Sequence, residues 1–285
     1  MLRRWGDRKD GKLIREIDSM HYIMPLMFPN RCDNEAFIRL TVDLTNAEEF
    51  LKMKNAQNPE YKYNIFQIIL TAMLKTIKQR PKMNYFIANE NMYERNDLTA
   101  AFTVKKIFSD NGGEALARIN ARDDDNLDSI HNEIFRQVSF CRSEKKDAST
   151  ESMDFVQKIP CKHLIGKVVR FLDRHGWMPS SMIATDPYQC SVVLSNLGSI
   201  GLDAGYHHMT NWGTNSVFCA IGLMKKRPFY DDDGYVSMRQ SIELGLTIDE
   251  RIADGYYYSK TVKLLKHLIE NPELLEKPLN EKVEL

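Results

Sequence analysis

The sequence has no apolar run near the roughly 20 residues that cross a bilayer, and this excludes a helical membrane protein. Its amino terminus, Met1 to Asp7, is charged and leads into more charge, so it lacks the apolar core of a secretory signal. Cysteine is sparse. Cys32, Cys141, Cys161, Cys190 and Cys219 are an odd number with no C-x-x-C pair, which removes the usual zinc site and redox dithiol and points to a reducing cytoplasm. Net charge is also missing: 39 basic side chains balance 39 acidic ones, so there is no general attraction to a phosphate backbone. The short Lys105-Lys106, Lys145-Lys146 and Lys225-Lys226 pairs read as solvated loops or element ends, and neither nucleic acid nor membrane is expected as a partner. No G-x-S-x-G elbow supports serine-hydrolase chemistry. No repeat and no Pro/Gly/Ser linker divides the 285 residues, so residues 1–285 are expected to form a single domain.

Several segments carry clear periodicity. Ala36 to Val42 alternates as a half-buried strand. Thr45 and Glu48 form a candidate capping box ahead of a short helix, and Asn64 with Gln67 form another ahead of a core helix through Ile69, Met73 and Ile77. Helical spacing recurs from Asp128 to Cys141, and again through Leu164, Val168, Phe171 and Leu172, with Gly176 as a left-handed stop. The polar run Arg142 to Ser152 between them reads as a solvated loop. Strands are expected at Cys190 to Leu194, at Val217 to Ile221 and, with the longest period-two signal, from Val236 to Ile248. A last helix from Gly255 to Glu270 ends at Asn271-Pro272. The pattern predicts an α/β chain with a mixed sheet.

Three groups of residues carry candidate chemistry. If the last strand neither bulges nor turns, one more step of alternation places Glu250 beside Leu246 and Ile248 in apolar surroundings. Burial there would raise its pKa above the ordinary value of about 4.3 and let it move a proton, whereas a neighbouring Arg or Lys would make it a structural anion. Ser195-Asn196-Leu197-Gly198-Ser199-Ile200-Gly201 follows a strand. Its glycines permit close backbone approach and its Ser and Asn side chains can hydrogen-bond a polar intermediate, although a tight turn explains the same pattern. It lacks the third glycine of a dinucleotide fingerprint and the lysine of a phosphate loop. His207-His208 are the only adjacent histidines. In a strand they would point to opposite faces, and with no third ligand they define no metal site. Tyr256-Tyr257-Tyr258 reads as helix packing, with a subunit seam or an acyl pocket as the other use.

Taken together, Ser195-Asn196-Leu197-Gly198-Ser199-Ile200-Gly201, the strand Val217 to Gly222 and Asp249-Glu250-Arg251-Ile252-Ala253-Asp254-Gly255 resemble the catalytic domain of the 2-oxoacid dehydrogenase acyltransferases and the related chloramphenicol acetyltransferases. The first segment looks like that family's Ser-Asn-x-Gly-x-x-Gly. The last is similar to its Asp-His-Arg-x-x-Asp-Gly, with Glu250 standing at the histidine. Residues 13–42 and 64–84 are similar to its opening helix, strand and long core helix. The resemblance implies a two-layer sandwich with a mixed central sheet, assembled as a homotrimer with active sites between subunits. It also implies a coenzyme A thioester as substrate, no metal, and a small-molecule acceptor or a separate acyl carrier. The family's histidine deprotonates the acceptor, and a Ser or Thr stabilises the oxyanion. Carried over, Glu250 is the candidate base, Asp254 the organiser through an ion pair, and Ser195 and Asn196 the oxyanion-side residues; His207-His208 lies before the penultimate strand and is not expected to supply the base. A general base is worth about 100-fold to 10,000-fold, and a carboxylate of ordinary pKa is a poor stand-in for imidazole. The alternative is therefore a trimeric homologue that binds acyl groups or coenzyme A without catalysis. The chain begins almost at the catalytic region, so neither a lipoyl nor a peripheral-subunit-binding domain is expected.

Overall fold

The computed structural model describes residues 4–105, 113–143 and 162–284. In chain order the strands are β1 (Gly11–Leu13), β2 (Glu35–Asp43), β3 (Tyr85–Ala88), β4 (Asn91–Arg95), β5 (Leu98–Lys105), β6 (Glu114–Ala121), β7 (Val192–Asn196), β8 (Val217–Ile221), β9 (Lys225–Tyr230) and β10 (Val236–Asp249). The helices are α1 (Ser19–Met27), α2 (Thr45–Ala56), α3 (Ile65–Gln79), α4 (Leu127–Arg142), α5 (Lys162–Arg174), α6 (Ser180–Thr185) and α7 (Gly255–Glu270). A small antiparallel sheet runs β1-β4-β3. The large sheet runs β2-β10-β8-β7-β5-β6, with β9 paired to the outer half of β10. Its β5–β7 and β7–β8 pairs are parallel and the others antiparallel, so the expected mixed sheet is present.

One face of this sheet meets the helices. Leu40, Val42, Leu244, Leu246, Ile248, Cys219 and Leu194 join Ile69, Met73, Ile77, Leu265 and Ile269 in a single dry core. The sequence builds α3 as expected. Asn64 Oδ1 accepts from Phe66 N at 3.0 Å, Gln67 Oε1 accepts from Asn64 N at 2.7 Å, and residues from Gln67 to Ile77 are buried. Burial extends to Lys75, whose ammonium donates to the carbonyls of Leu274, Lys277 and Pro278 at 3.0, 3.2 and 2.8 Å. The carboxyl-terminal segment is thereby tied to the central helix.

One local expectation changes. The Thr45–Glu48 capping box is absent; Leu44 occupies the cap position, and Asp43 Oδ1 accepts instead from Thr45 N at 2.9 Å. On α5 the apolar stripe Leu164, Val168 and Phe171 is exposed, because the helix joins the body through its carboxyl-terminal end. There Asp173 pairs with Arg8 and Arg174 with Glu90. The expected solvated loop lies, beyond Ser143, outside the described residues, as do Lys106, Lys145, Lys146 and Cys161.

The long alternating strand divides into two parts. Val236 and Met238 are exposed in the β9–β10 hairpin, whereas from Ser241 to Asp249 nearly every residue is buried on both sides. The second side is covered by residues 202–213, an irregular strap across the sheet. Gly245 sits under it in mid-strand, where a Cβ would strike the Gly205 carbonyl, and a Cβ at Gly222 would strike the Ala204 backbone. Gly245 within β10 and Gly222 just past β8 therefore mark the line along which backbone crosses backbone.

Candidate functional site

The strap is fastened by side chains buried beneath it. Arg31 donates to the carbonyls of Thr210 at 2.6 Å and Gly213 at 2.9 Å. Arg95 donates to Thr214 Oγ1 at 2.9 Å and to its carbonyl at 2.7 Å, and Trp212 Nε1 donates to Asp186 Oδ2 at 2.7 Å. Burial pushes the Arg95 guanidinium down to about 10, and it also lowers Arg31 against the opposing pull of Asp249. At the start of β2, the Glu35 carboxylate accepts from Met209 N at 2.5 Å through Oε1 and meets His208 Nδ1 at 2.7 Å through Oε2.

Beside the strap, at the end of β7, opens a cavity of about 750 Å³. The last β5–β7 pair is Phe102–Leu194, and beyond it the two strands part. Phe66, Phe102 and Ile134 from the helix side of the sheet line the opening together with Val193, Phe218, His207 and His208 from the strap side. Ser195 and Asn196 lie on its wall. Ser195 pairs with Ala220 and falls on the strap face by alternation with Val193. Asn196 holds the following turn, its Oδ1 accepting from Ser199 N at 3.2 Å while Ser199 Oγ donates to its carbonyl at 2.7 Å.

Glu250 and Asp254 are placed differently from expectation. β10 ends at Asp249, whose carboxylate accepts from Arg251 N at 3.2 Å and turns the chain into a short 3₁₀ segment. The alternation therefore stops one residue early, and Glu250 is exposed instead of facing the apolar core. It does not line this cavity. Its neighbours take the buried role. Asp249 is fully buried and receives Arg251 Nε at 2.8 Å and Nη2 at 2.7 Å, with Arg31 Nε 3.7 Å away. Tyr258 adds a hydrogen bond to the Asp249 carbonyl at 3.0 Å. Asp254 is exposed and caps α7, accepting from Tyr257 N at 2.7 Å; among the described residues it forms no ion pair, and the buried ion pair of this turn is Asp249–Arg251.

The cavity thus gathers two of the four sequence candidates, Ser195 and Asn196. It also gathers His207 and His208, which sequence reasoning set aside. They lie outside any strand: His207 stacks on Phe218 with ring centroids 4.3 Å apart, and His208 leans on Glu35. Nothing in the local pattern announces the Glu35–His208 contact, because it joins residues on opposite sides of a long chain excursion. Tyr256, Tyr257 and Tyr258 do not line the cavity; Tyr258 is core, Tyr257 lies 3.7 Å under the Arg80 guanidinium and Tyr256 is exposed. Burial raises the Cys190 thiol to about 11 and that of Cys219 to about 12, which makes both poor nucleophiles. Among the described residues no cluster of His, Cys, Asp or Glu could hold a metal, and no helix is long and apolar enough to cross a membrane.

Comparison with known proteins gives one family match and a consistent set of structural ones. The family of 2-oxoacid dehydrogenases acyltransferase (catalytic domain) matches residues 183–276, which include the end of β7, the strap and the Asp249–Asp254 turn. No curated protein matches the chain by sequence. A dihydrolipoamide acetyltransferase of Azotobacter vinelandii is 17% identical, with a TM-score of 0.62 over 92% of this chain and 93% of that one. A probable dihydrolipoamide acetyltransferase of Listeria monocytogenes is 15% identical, with a TM-score of 0.60 over 91% and 95%. A chloramphenicol acetyltransferase is 15% identical, with a TM-score of 0.57 over 91% and 99%. The chain is therefore similar to the acyltransferase catalytic domain across residues 183–276, and over most of its length it has the mixed-sheet fold of the chloramphenicol acetyltransferase-like cores.

Proposed function

We propose that the protein is an acyltransferase that moves an acyl group from a coenzyme A thioester to a small thiol, hydroxyl or amine acceptor, and that it does so as a single-domain homotrimer. The observation that carries this reading is the cavity at the end of β7. Its volume of about 750 Å³ suits a ligand of this class, its wall is mainly apolar, and Ser195 and Asn196 sit on it within the family-matched segment. A hydroxyl and an amide at the end of a rigid strand are the groups that can donate to a thioester oxygen as charge develops on it. In this reading Ser195 and Asn196 serve the oxyanion. Asp254 caps α7, and Glu250 lies in the preceding 3₁₀ turn with its side chain outward. A base role for Glu250 therefore needs a neighbouring protomer's cavity beside it, which a trimer with sites between subunits provides.

A second reading has an observation of its own. Glu250 is exposed and stands away from the cavity of its own protomer, as it would in a protein that binds coenzyme A or an acyl group for regulation or assembly without turnover. Free thiol released from a panel of acyl-coenzyme A donors with thiol, hydroxyl and amine acceptors separates the two, alongside Ser195→Ala and Glu250→Ala and a light-scattering mass. Acyl transfer predicts turnover that falls at least 10-fold in Ser195→Ala. Tight coenzyme A binding by a trimer that releases no thiol above the variants would replace catalysis with the binding role.

A further inference from the structure

We infer that His208, oriented by Glu35, is the proton-transfer residue of this cavity. The inference rests on the acyl-transfer reading above and supplies the group that moves the acceptor's proton. The Glu35 carboxylate is all but buried, with 2% side-chain exposure, whereas the His208 side chain is 79% exposed. An ordinary surface ion pair leaves both partners in water and contributes little. Here one partner is locked: the second Glu35 oxygen is held by Met209 N at 2.5 Å, and Glu35 itself is fixed by strand register opposite Asp249. The other is an accessible ring on the cavity wall, in the same cavity as Ser195.

An ionised carboxylate can only accept, so the nitrogen 2.7 Å from it, Nδ1, carries the hydrogen. The neutral imidazole then has its lone pair on Nε2, and the carboxylate steadies the imidazolium that forms when Nε2 takes a proton. The surroundings of the ring are few: the Phe37 ring lies edge-on at 6.1 Å, and the His207 ring is occupied in stacking on Phe218. The step balances as follows. Nε2 removes the proton from the acceptor's thiol, hydroxyl or amine as that atom bonds to the thioester carbonyl carbon. The carbon–sulfur bond then breaks, and the departing coenzyme A sulfur takes the proton back from Nε2. Glu35 is a positioning residue, because it acts only through the ring.

Steady-state thiol release by the full-length wild type, His208→Ala, His208→Gln, Glu35→Gln and Glu250→Gln tests the assignment, with free imidazole added to His208→Ala and thermal melts to verify folding. Both His208 variants are expected to lose at least 100-fold in kcat with KM changed less than threefold, and imidazole should restore His208→Ala by at least fivefold. Glu35→Gln is expected to lose about 10-fold in kcat at unchanged KM; a purely structural role would raise KM and lower the melting temperature together. Wild type without turnover overturns the acyl-transfer reading itself, and this assignment with it. An active wild type in which the His208 variants keep more than half of kcat overturns the His208 assignment alone, as does a loss of 100-fold or more confined to Glu250→Gln.

Discussion

The two faces of the large sheet are built by opposite means. The helix face is a continuous apolar contact, closed by α3, α4 and α7 over side chains such as Leu244, Leu246 and Ile248. The strap face has only a small apolar patch, Ala101, Cys190, Val193, Met209, Phe218 and Ala220. The rest of it is held by guanidinium groups on backbone carbonyls and by the Asp249–Arg251 pair. Apolar burial is non-directional and tolerant, so it makes a stable foundation. Buried hydrogen bonds to charged groups are directional and costly to leave half-made, so they fix an irregular segment and the side chains it carries in one place. Ser195 and His208, two of the candidate groups, sit on the second kind of face.

That contrast can be broken most severely at Asp249. Asp249→Ala leaves Arg251 buried without its bidentate partner and weakens Arg31 under the strap, and it should cost about 3–5 kcal/mol in a urea titration while also lowering coenzyme A affinity. On the helix face, Leu246→Ala should cost about 2–5 kcal/mol by cavity formation, yet leave coenzyme A affinity in the folded protein unchanged within about twofold. Equal effects of the two substitutions on affinity would erase the distinction between foundation and site.

A smaller effect concerns pH. Burial opposes charge on Asp128, but hydrogen bonds from the Lys54 ammonium at 2.7 Å and the Tyr63 hydroxyl at 2.8 Å outweigh it and hold the carboxyl below its ordinary value. A lowered folded-state pKa contributes stability that is present above the unfolded value of about 3.9 and lost as pH falls through the folded one. Asp128→Asn should therefore flatten the melting-temperature profile below about pH 4. Substrate binding at neutral pH should not change, because none of Lys54, Tyr63 and Asp128 lines the cavity. The smallest expected effect is on stability in Glu250→Gln, within about 0.5 kcal/mol, since the side chain is exposed and borders no core. A larger loss measured on the intact assembly would show that another protomer covers it.

The helix face was readable because its physics is periodic. Asn64 and Gln67 announce the start of α3, the apolar spacing through Ile69, Met73 and Ile77 its core face, and Val217 to Ile221 a strand that the structure reproduces residue for residue. The alternation of β10 was also correct, but the sequence could not show that its polar side is buried from Ser241 onward, because the cover is non-repetitive backbone. Gly245 and Gly222 were the available signs of that crossing. The Asp249–Glu250–Arg251 turn misled for a related reason. Alternation extends only while the backbone stays extended, and a single hydrogen bond from Arg251 N to Asp249 ended it and sent Glu250 outward. The motif that carried the resemblance singled out Ser195 and Asn196, which line the cavity, whereas Glu35 and His208 lie far apart in the chain and meet only through the folded strap.

The central claim is that the strap face, at the end of β7, is where an acyl thioester is handled. A crystal structure of the protein with coenzyme A measures this directly. The account predicts the sulfur in the cavity at the end of β7, within hydrogen-bonding distance of His208 Nε2 and close to Ser195. A sulfur seated against any other surface, with that cavity empty and His208 turned away from it in every protomer, would contradict it.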